Sequence, residues 1–202
     1  MMHLCVVLEK IQEAIRELES FRDDGETAIA ADILLILATK GTNKAGSKES
    51  SELENAIKSN KKSASSKASY NAGLFYTLTK QHAKAKEFVD RAVQLEPAAI
   101  ENIALKGWYD LLSGKDVKGS AKHFDDILNG PSQQYPDAWL GKAAYFAGRS
   151  NPAGCLEILN QATALFPTFV PIQIEKMRSQ LMLKDWEQAY ETAQRQPVKY
   201  RI

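Results

Sequence analysis

Apolar residues recur at helical spacing along most of this chain. Between residues 4 and 21 they lie three or four positions apart, which places them on one face of a helix. The segment Thr27 to Lys40 is apolar nearly all round, so we predict a helix buried between neighbours. Residues 41–48 are mostly polar and glycine and are predicted to form a mobile loop. A short, weak helix is predicted from Ser50 to Ser59.

From Ser66 onward the pattern repeats every 34 residues, the length of a tetratricopeptide repeat. When Ser66 is position 1, Gly73, Ala85, Ala92 and Pro97 fall at positions 8, 20, 27 and 32, where the repeat has three small residues and a proline. Two helices pack closely only where a side chain is small, and proline ends the second helix. The period therefore predicts an all-α fold, an α-solenoid of tetratricopeptide-type helix-turn-helix repeats.

The second unit departs slightly from this spacing. Gly107 follows Gly73 by one period, but Ala121 comes two residues later than the position of Ala85. We expect the loop at residues 113–116 to absorb the shift.

Two more units complete the series. In the third unit Trp139, Ala143, Ala162 and Pro167 occupy repeat positions, and Cys155 takes a small slot. Ala189 marks the fourth. We divide the chain into degenerate N-terminal repeats (1–65) and four units at 66–99, 100–135, 136–169 and 170–202, the last one truncated. The apolar pattern runs almost to both ends, so we expect the chain to be a portion of something longer.

The composition argues against two classes of protein, those that bind nucleic acids through a basic face and those that span a membrane. The formal net charge is +1, from 26 basic and 25 acidic residues, which argues against a nucleic-acid protein with a dominant basic face. No apolar run reaches the roughly 20 residues that span a bilayer, so no membrane insertion is expected. Cys5 and Cys155 match no ligand spacing and are expected to be reduced, buried residues of a cytosolic protein.

The chain shows no pattern of catalytic chemistry. It has three histidines, and none has a histidine or cysteine three or four residues away. His123 lies close to Asp125 and Asp126, a grouping that favours a solvated face over a metal site. No phosphate loop, nucleophile elbow or zinc pattern occurs. We predict no catalytic residue, no cofactor and no metal.

A basic, serine-rich stretch extends from Lys44 to Lys67. A solvated linker is favoured, and binding to an acidic partner or serine phosphorylation is the alternative.

Repeat positions 2, 5, 9 and 12 usually line a concave groove. Here they are Lys67, Tyr70, Leu74, Thr77, Glu101, Ala104, Trp108, Leu111, Asp137, Leu140, Ala144, Pro171, Ile174, Arg178 and Leu181. This surface is unusually apolar, so a peptide, a partner helix or the curl of the array would have to cover it. Packing between tightly wound helices is an equal alternative. The candidate partner-binding residues are Lys67, Tyr70, Leu74, Trp108, Asp137 and Arg178.

Several segments go beyond the generic repeat. They are Ala68–Phe75, Ala85–Arg91, Leu105–Leu111, Phe166–Pro171, Lys184–Gln188 and Glu191–Arg195. Together they resemble the tetratricopeptide repeat protein 21 family, the large repeat subunits of intraflagellar transport complex A. The resemblance covers about residues 13–195, and members carry many more repeats, so this chain matches an N-terminal portion.

The resemblance implies a scaffold in retrograde ciliary transport. Its partners would be WD-repeat and helical-repeat subunits of complex A, and it would reside in the cytoplasm and cilium, at the basal body and axoneme. Lys106, Lys142 and Lys176 depart from the repeat, since position 7 is usually aliphatic. Their stems are expected to pack while the ammonium groups reach water.

Other functions are open. A generic cytosolic tetratricopeptide scaffold or adaptor is the main alternative, and a helical-repeat enzyme lacks a catalytic constellation. A chaperone adaptor would clamp a carboxylate with Lys, Asn and Arg, but its clamp positions here hold other residues, namely Tyr70, Leu74, Leu105, Asp137 and Gly141.

Overall fold

The computed structural model describes residues 13, 15–22, 27–41, 48–130 and 134–194. Within these ranges the regular structure is α-helical and contains no strand, so the predicted all-α class is confirmed. Helical residues 15–20 precede the helices α1 (Ala28–Gly41), α2 (Lys48–Asn60), α3 (Ser66–Leu78), α4 (His82–Leu95), α5 (Ile100–Ser113), α6 (Val117–Leu128), α7 (Pro136–Gly148), α8 (Pro152–Leu165), α9 (Val170–Met182) and α10 (Trp186–Gln194). The chain divides into two compact units, residues 1–102 and residues 103–202.

In the four hairpins formed by α3 to α10, the two helices are joined by a three-residue turn with one left-handed residue. Lys80 has φ of 59° and Ser150 has φ of 55°. In the first case the Lys80 N–H donates to the Thr77 carbonyl and the Gln81 N–H donates to the Tyr76 carbonyl. The same two bonds recur around Ser150 and Lys184. Backbone hydrogen bonds thus hold non-glycine residues in a conformation that they rarely adopt.

Polar side chains cap the N-terminal ends of several helices. The side chains of Ser65, Asp116 and Asn151 accept hydrogen bonds from backbone N–H groups at the starts of α3, α6 and α8. Such caps satisfy donors that have no partner inside the helix. Proline opens α7 and α8, where a missing N–H costs no helical hydrogen bond.

The core of the first unit is built where α1 packs against α2 and α3, and where α3 packs against α4. Gly73 is buried on α3, and Ala85 and Ala92 are fully buried on α4. The rings of Tyr76 and Phe88 stack between these two helices, 5.7 Å apart. Small residues therefore let α3 and α4 approach while one aromatic pair fills the remaining space.

Asn102 joins three parts of the same unit. Its buried Nδ2 group lies 3.0 Å from Ser66 Oγ, 3.0 Å from the Ala92 carbonyl and 3.1 Å from the Glu96 carbonyl. The last carbonyls of a helix lack a partner within the helix. Backbone N–H groups of Glu96 and Ala99 already bond to the Ala92 and Glu96 carbonyls, so the amide adds a second donor to each and ties the end of α4 to the start of α3.

A buried carboxylate interrupts the apolar helix α1. Asp32 is 2% exposed, and its Oδ1 accepts a hydrogen bond from Arg22 Nε at 2.7 Å. Burial raises the pKa of Asp32, and the charge and hydrogen bond of Arg22 oppose that rise. The ion pair allows the helix to be buried despite its acidic residue.

In the second unit each helix from α6 to α10 packs against the next, and α7 also contacts α9. Trp139 and Ala143 of α7 are buried, as are Ala162 of α8 and Ala189 of α10. Pro97 and Pro167 lie exposed in the turns after α4 and α8.

The second repeat differs from its prediction. The turn between α5 and α6 has the usual three residues, and the extra residue lies in α5, which has 14 residues where α3, α7 and α9 have 13. The second helix of this repeat is therefore displaced from the 34-residue period by one residue, instead of the two residues that Ala121 implied. Ser120 takes the buried position that corresponds to Ala85, whereas Ala121 is half-buried. The prediction of Ala121 was wrong because serine was not counted as a small residue.

The N-terminal predictions hold in part. Helix α1 matches the predicted 27–40, and the side chains described in it, at residues 28–36, are buried except for those of Ala30 and Leu34. Helix α2 is longer than predicted, at Lys48–Asn60. Most of the predicted loop at 41–48, and the first part of the helix predicted from residue 4, lie outside the described residues. The predicted division at residue 65 stays a prediction from the repeat register.

None of the described helices combines the length and apolarity needed to cross a bilayer.

Candidate functional site

The second unit contains an apolar cleft between its helices. The cleft has a volume of about 550 Å³, within the roughly 300–1,000 Å³ typical of ligand-binding clefts. It is lined by Trp108, Leu140, Ala143, Ala144, Ala147, Cys155, Pro171, Ile174, Glu175 and Arg178. Six of these were predicted as groove residues from repeat positions alone: Trp108, Leu140, Ala144, Pro171, Ile174 and Arg178.

Helical spacing places the walls of the cleft. Leu140, Ala144 and Ala147 lie four and three residues apart and share one face of α7. On α9, one face is shared by Pro171, Ile174 and Arg178, which lie three and four residues apart. Ile174 is 43% exposed although it is a large apolar residue. The two helices therefore present facing stripes, apolar except for Arg178, that the unit itself leaves uncovered.

Trp108 forms the α5 side of the cleft. Its ring meets the ring of Phe124 edge to face, with centroids 5.7 Å apart. Phe124 is fully buried and lies against both Gly107 and Gly141. The position of Trp108 thus depends on a ring that is fixed by close packing.

The floor of the cleft is made of small residues. Ala143 is buried on α7, and Cys155 is buried on α8. Ser179 Oγ donates a hydrogen bond to Cys155 Sγ at 3.1 Å. Burial raises the pKa of the Cys155 thiol, and the Ser179 hydrogen bond partly opposes this. The thiol is free and buried, as the sequence predicted; Cys5 lies outside the described residues.

One ion pair marks the rim. Arg178 Nη1 lies 2.7 Å from Glu175 Oε1, one turn away on α9, and the Arg178 side chain is 65% exposed. Surface pairs of this kind contribute about 0–1 kcal/mol to stability. The guanidinium can therefore exchange its partner at little cost.

A second charged cluster lies on α5 and α6. Asp110 is buried, with Lys106 Nζ at 3.0 Å and His123 Nε2 at 3.5 Å from its carboxylate oxygens. Lys106 also lies over the ring of Tyr109, 5.2 Å from its centroid. The expectation of a solvated face for His123 was wrong, because this side chain is half-buried against Asp110. The Lys106 ammonium, which was expected to reach water, instead pairs with the buried Asp110, and the cluster joins α5 to α6.

The remaining predicted groove residues lie elsewhere. Lys67 is exposed on α3, and Tyr70 and Leu74 are half-buried on the same helix, in the first unit. Asp137 is exposed at the start of α7 but does not line the cleft; partial desolvation raises the pKa of its carboxyl. Thr77 and Ala104 are buried and were wrongly predicted as groove residues.

Four of the ten lining residues were not predicted as groove residues, namely Ala143, Ala147, Cys155 and Glu175; Ala143 and Cys155 were predicted only as packing positions. Ala147 lies one turn beyond the predicted Ala144, so extending that stripe by one turn would have found it. Glu175 lies next to Ile174, inside the predicted stripe of α9, and is not at any of the four groove positions. In the part of the chain that the structure describes, no group of three or more His, Cys, Asp or Glu side chains could hold a metal ion.

Comparisons with known proteins agree with this architecture. The family model described as the tetratricopeptide repeat protein 21 N-terminal ARM repeat matches residues 3–190. The chain is 36% identical to tetratricopeptide repeat protein 21B of Xenopus laevis over 93% of its length, and 36% identical to the Homo sapiens protein 21B over 92%. It is 37% identical to protein 21A of Mus musculus over 93%. It spans 14% of the length of each of these relatives.

A solved structure supports the fold independently. The crystal structure of a tetratricopeptide repeat protein from Parabacteroides merdae aligns with a TM-score of 0.63. The alignment covers 92% of this chain and 78% of that one, at 16% identity.

Proposed function

Because the chain belongs to the tetratricopeptide repeat protein 21 family, we propose that it is a non-catalytic scaffold of intraflagellar transport complex A that acts in retrograde ciliary transport. It is a helical-repeat protein, and such repeats present extended surfaces to other proteins. Its partners would be the WD-repeat and helical-repeat subunits of that complex, in the cytoplasm, at the basal body and along the axoneme.

The observation that carries this proposal is the match to the family over nearly the whole chain, joined to an uncovered apolar cleft. Tryptophan and arginine dominate the binding energy of many protein interfaces, and Trp108 and Arg178 both line this cleft. The cleft is better suited to binding another protein than to catalysing a reaction, since aliphatic side chains and alanines form most of its lining.

A chaperone adaptor is the less favoured function. Of the positions that would hold the carboxylate clamp, Leu105 and Gly141 are buried, and neither supplies a side-chain donor. A generic cytosolic adaptor would share the fold and the cleft but bind different proteins.

The test is recovery of partners from ciliated cells that express the tagged chain. The proposal expects complex A subunits among the recovered proteins and a tag signal at the basal body and axoneme. Recovery of heat-shock chaperones without complex A subunits would replace it with the adaptor function.

A further inference from the structure

One stretch of the first unit carries positive charge only. Between Glu54 and Glu87 the chain has seven lysines and no acidic residue. The connection between α2 and α3, residues 61–65, lies within this stretch and starts with Lys61 and Lys62. Protein kinases use the charge pattern around a hydroxyl group to select their substrates. This stretch therefore has the charge that a kinase with an acidic substrate groove selects.

The five serines of the stretch differ in exposure. Ser66 and Ser69 are buried, and Ser65 is half-buried with its Oγ capping α3. Ser59 is exposed but lies inside α2, whereas Ser63 is exposed in the connection, outside the helices. An acceptor hydroxyl has to come within about 3–3.5 Å of the phosphorus that it attacks, in line with the bond that breaks. Ser63 is therefore the serine best placed to accept a phosphoryl group.

The turn at Ser63 keeps its backbone hydrogen bond when the side chain is modified. Ser63 Oγ donates a hydrogen bond to the Asn60 carbonyl at 3.0 Å, and a phosphate ester has no hydrogen to donate there. The same carbonyl also accepts from the Ser63 N–H at 3.2 Å. Modification thus leaves no backbone group of this turn without a partner.

Arg91 of α4 lies against the backbone on both sides of Ser63. Its Nη2 donates to the Lys62 carbonyl at 2.7 Å and to the Ala64 carbonyl at 3.2 Å. Its Nε is buried and has no hydrogen-bond partner among the described residues. Charge-assisted hydrogen bonds from a guanidinium to phosphate are roughly twice as strong as those between neutral groups. A phosphoryl group on Ser63 would therefore meet an arginine that the fold already holds at this turn.

The two lysines before Ser63 differ in their contacts. Lys61 pairs with Glu87 and lies over the Phe88 ring, 5.9 Å from its centroid. Lys62 is exposed, and none of the described residues pairs with its ammonium group. Lys62 is thus available to an acidic surface without the loss of a contact within the fold.

We propose that Ser63 is a phosphorylation site of a kinase that selects basic substrates, and that Arg91 binds the phosphate. In the transfer, Ser63 Oγ attacks the γ-phosphorus of ATP, the bond to ADP breaks with its electron pair leaving on ADP, and the hydroxyl proton passes to the catalytic aspartate of the kinase. The product adds a charge of about −1.5 to −2 at pH 7 to a stretch that otherwise has only positive charge. The site is independent of the partners of the proposed scaffold.

Phosphorylation of the intact chain in vitro tests the site. The chain is incubated with magnesium ATP and either protein kinase C, which selects basic substrates, or casein kinase II, which selects acidic ones, and mass spectrometry locates the phosphate. Protein kinase C should modify Ser63, and Ser63→Ala should abolish that signal. Lys62→Glu should slow the reaction at least about tenfold. Lys118→Glu is the matched control, because it makes the same charge change at an exposed lysine of α6, and it should leave the rate unchanged.

Phosphorus NMR of the modified chain tests the role of Arg91. The second pKa of phosphoserine is about 6, and a paired guanidinium lowers it. The phosphate pKa should be lower in the folded chain than in the same chain unfolded in urea, and Arg91→Gln should raise it back toward the unfolded value. Arg149→Gln, at an exposed arginine of the second unit, should not change it. If Arg91→Gln fails to fold, the comparison of the folded and unfolded parent still measures the effect.

Four outcomes overturn the inference. They are no incorporation of phosphate by protein kinase C, modification of Ser59 or Ser65 in place of Ser63, equal rates for Lys62→Glu and Lys118→Glu, and a phosphate pKa that unfolding does not change. None of them bears on the recovery of complex A subunits from cells, so failure here and failure of the proposed function are distinguishable.

Discussion

The ring of Phe124 occupies the space beside Gly141 that a side chain would need. A Cβ atom built at Gly141 would lie 2.3 Å from Phe124 Cε1, and one built at Gly107 would lie 2.8 Å from the same atom. These two glycines are 34 residues apart, and one buried ring lies against both. The ring also supports Trp108, so the small residues of the repeat set one wall of the cleft.

Gly141→Ala should destabilise the protein even though alanine favours helices. Overpacking against the fixed ring costs about 1–3 kcal/mol, and the helix propensity of alanine returns about 1 kcal/mol. Urea unfolding should therefore show a net loss of up to about 2 kcal/mol. Gly148→Ala is the control, because a Cβ there meets nothing within 4 Å; it should be neutral or stabilising. Equal stabilities for the two variants would contradict the packing described.

Asn102→Ala should cost about 1–3 kcal/mol of unfolding free energy, because it removes the hydrogen bonds of the buried amide to Ser66 Oγ and to the Ala92 and Glu96 carbonyls. Asn102→Asp should cost more, since it brings a negative charge to the C-terminal end of α4, where the helix dipole is already negative. Thermal unfolding followed by circular dichroism measures both. The control is Asn160→Ala on the exposed face of α8, which should change stability little. An Asn102→Asp variant as stable as the parent would refute this role.

Arg22→Gln should destabilise the protein most at neutral pH. The pKa of Asp32 is raised in the folded state above its ordinary 3.8, so the folded protein binds this proton more tightly than the unfolded chain. Lowering the pH through the folded pKa toward 3.8 therefore favours folding. Without Arg22 the buried charge loses its partner, at a cost of about 1–3 kcal/mol near pH 7.

That cost should shrink as the pH falls, because a protonated Asp32 needs no cation. Urea unfolding of the parent and of Arg22→Gln at several pH values measures the difference. Arg16→Gln, at an exposed position nearby in sequence, is the control. A penalty that stays constant or grows toward acid pH would show that Asp32 is not the group concerned.

Cys155 should react slowly with iodoacetamide. The thiolate is the reactive form, and burial raises the pKa of this thiol, so less of it is present at pH 8 than for an exposed cysteine. Ser179→Ala removes the hydrogen bond that lowers the pKa, so the reaction should be slower still. Mass spectrometry of the Cys155 peptide, in a Cys5→Ser background, gives the rates. A rate equal to that of the urea-unfolded chain would contradict the burial.

The sequence predicted the repeats well where small residues and prolines recur. Gly73, Ala85 and Ala92 identify one hairpin because close helix packing tolerates few other residues. The same rule failed at Ser120, where a small polar residue replaces alanine. Period alone could not find the extra residue in α5, since one residue added inside a helix or inside a turn shifts the pattern equally.

The site was predicted in part. Repeat positions named Trp108, Ile174 and Arg178, because helical spacing determines which residues share a face. They also named Thr77, which is buried. Exposure depends on which neighbour covers a residue, and one sequence does not contain that information. The side-chain roles of Asn102 and Asp32 were missed for the same reason, since their partners are 6 to 36 residues away in sequence.

Hydrogen–deuterium exchange of the chain, alone and bound to purified complex A subunits, locates the surface that binds a partner. Binding in the cleft predicts slower exchange in α7 and α9, which line it. That protection should be lost in Ala147→Arg, at an exposed cleft residue, but kept in Ala164→Arg, at an exposed residue of α8 outside the cleft. Binding that leaves α7 and α9 unchanged while protecting other helices would contradict it.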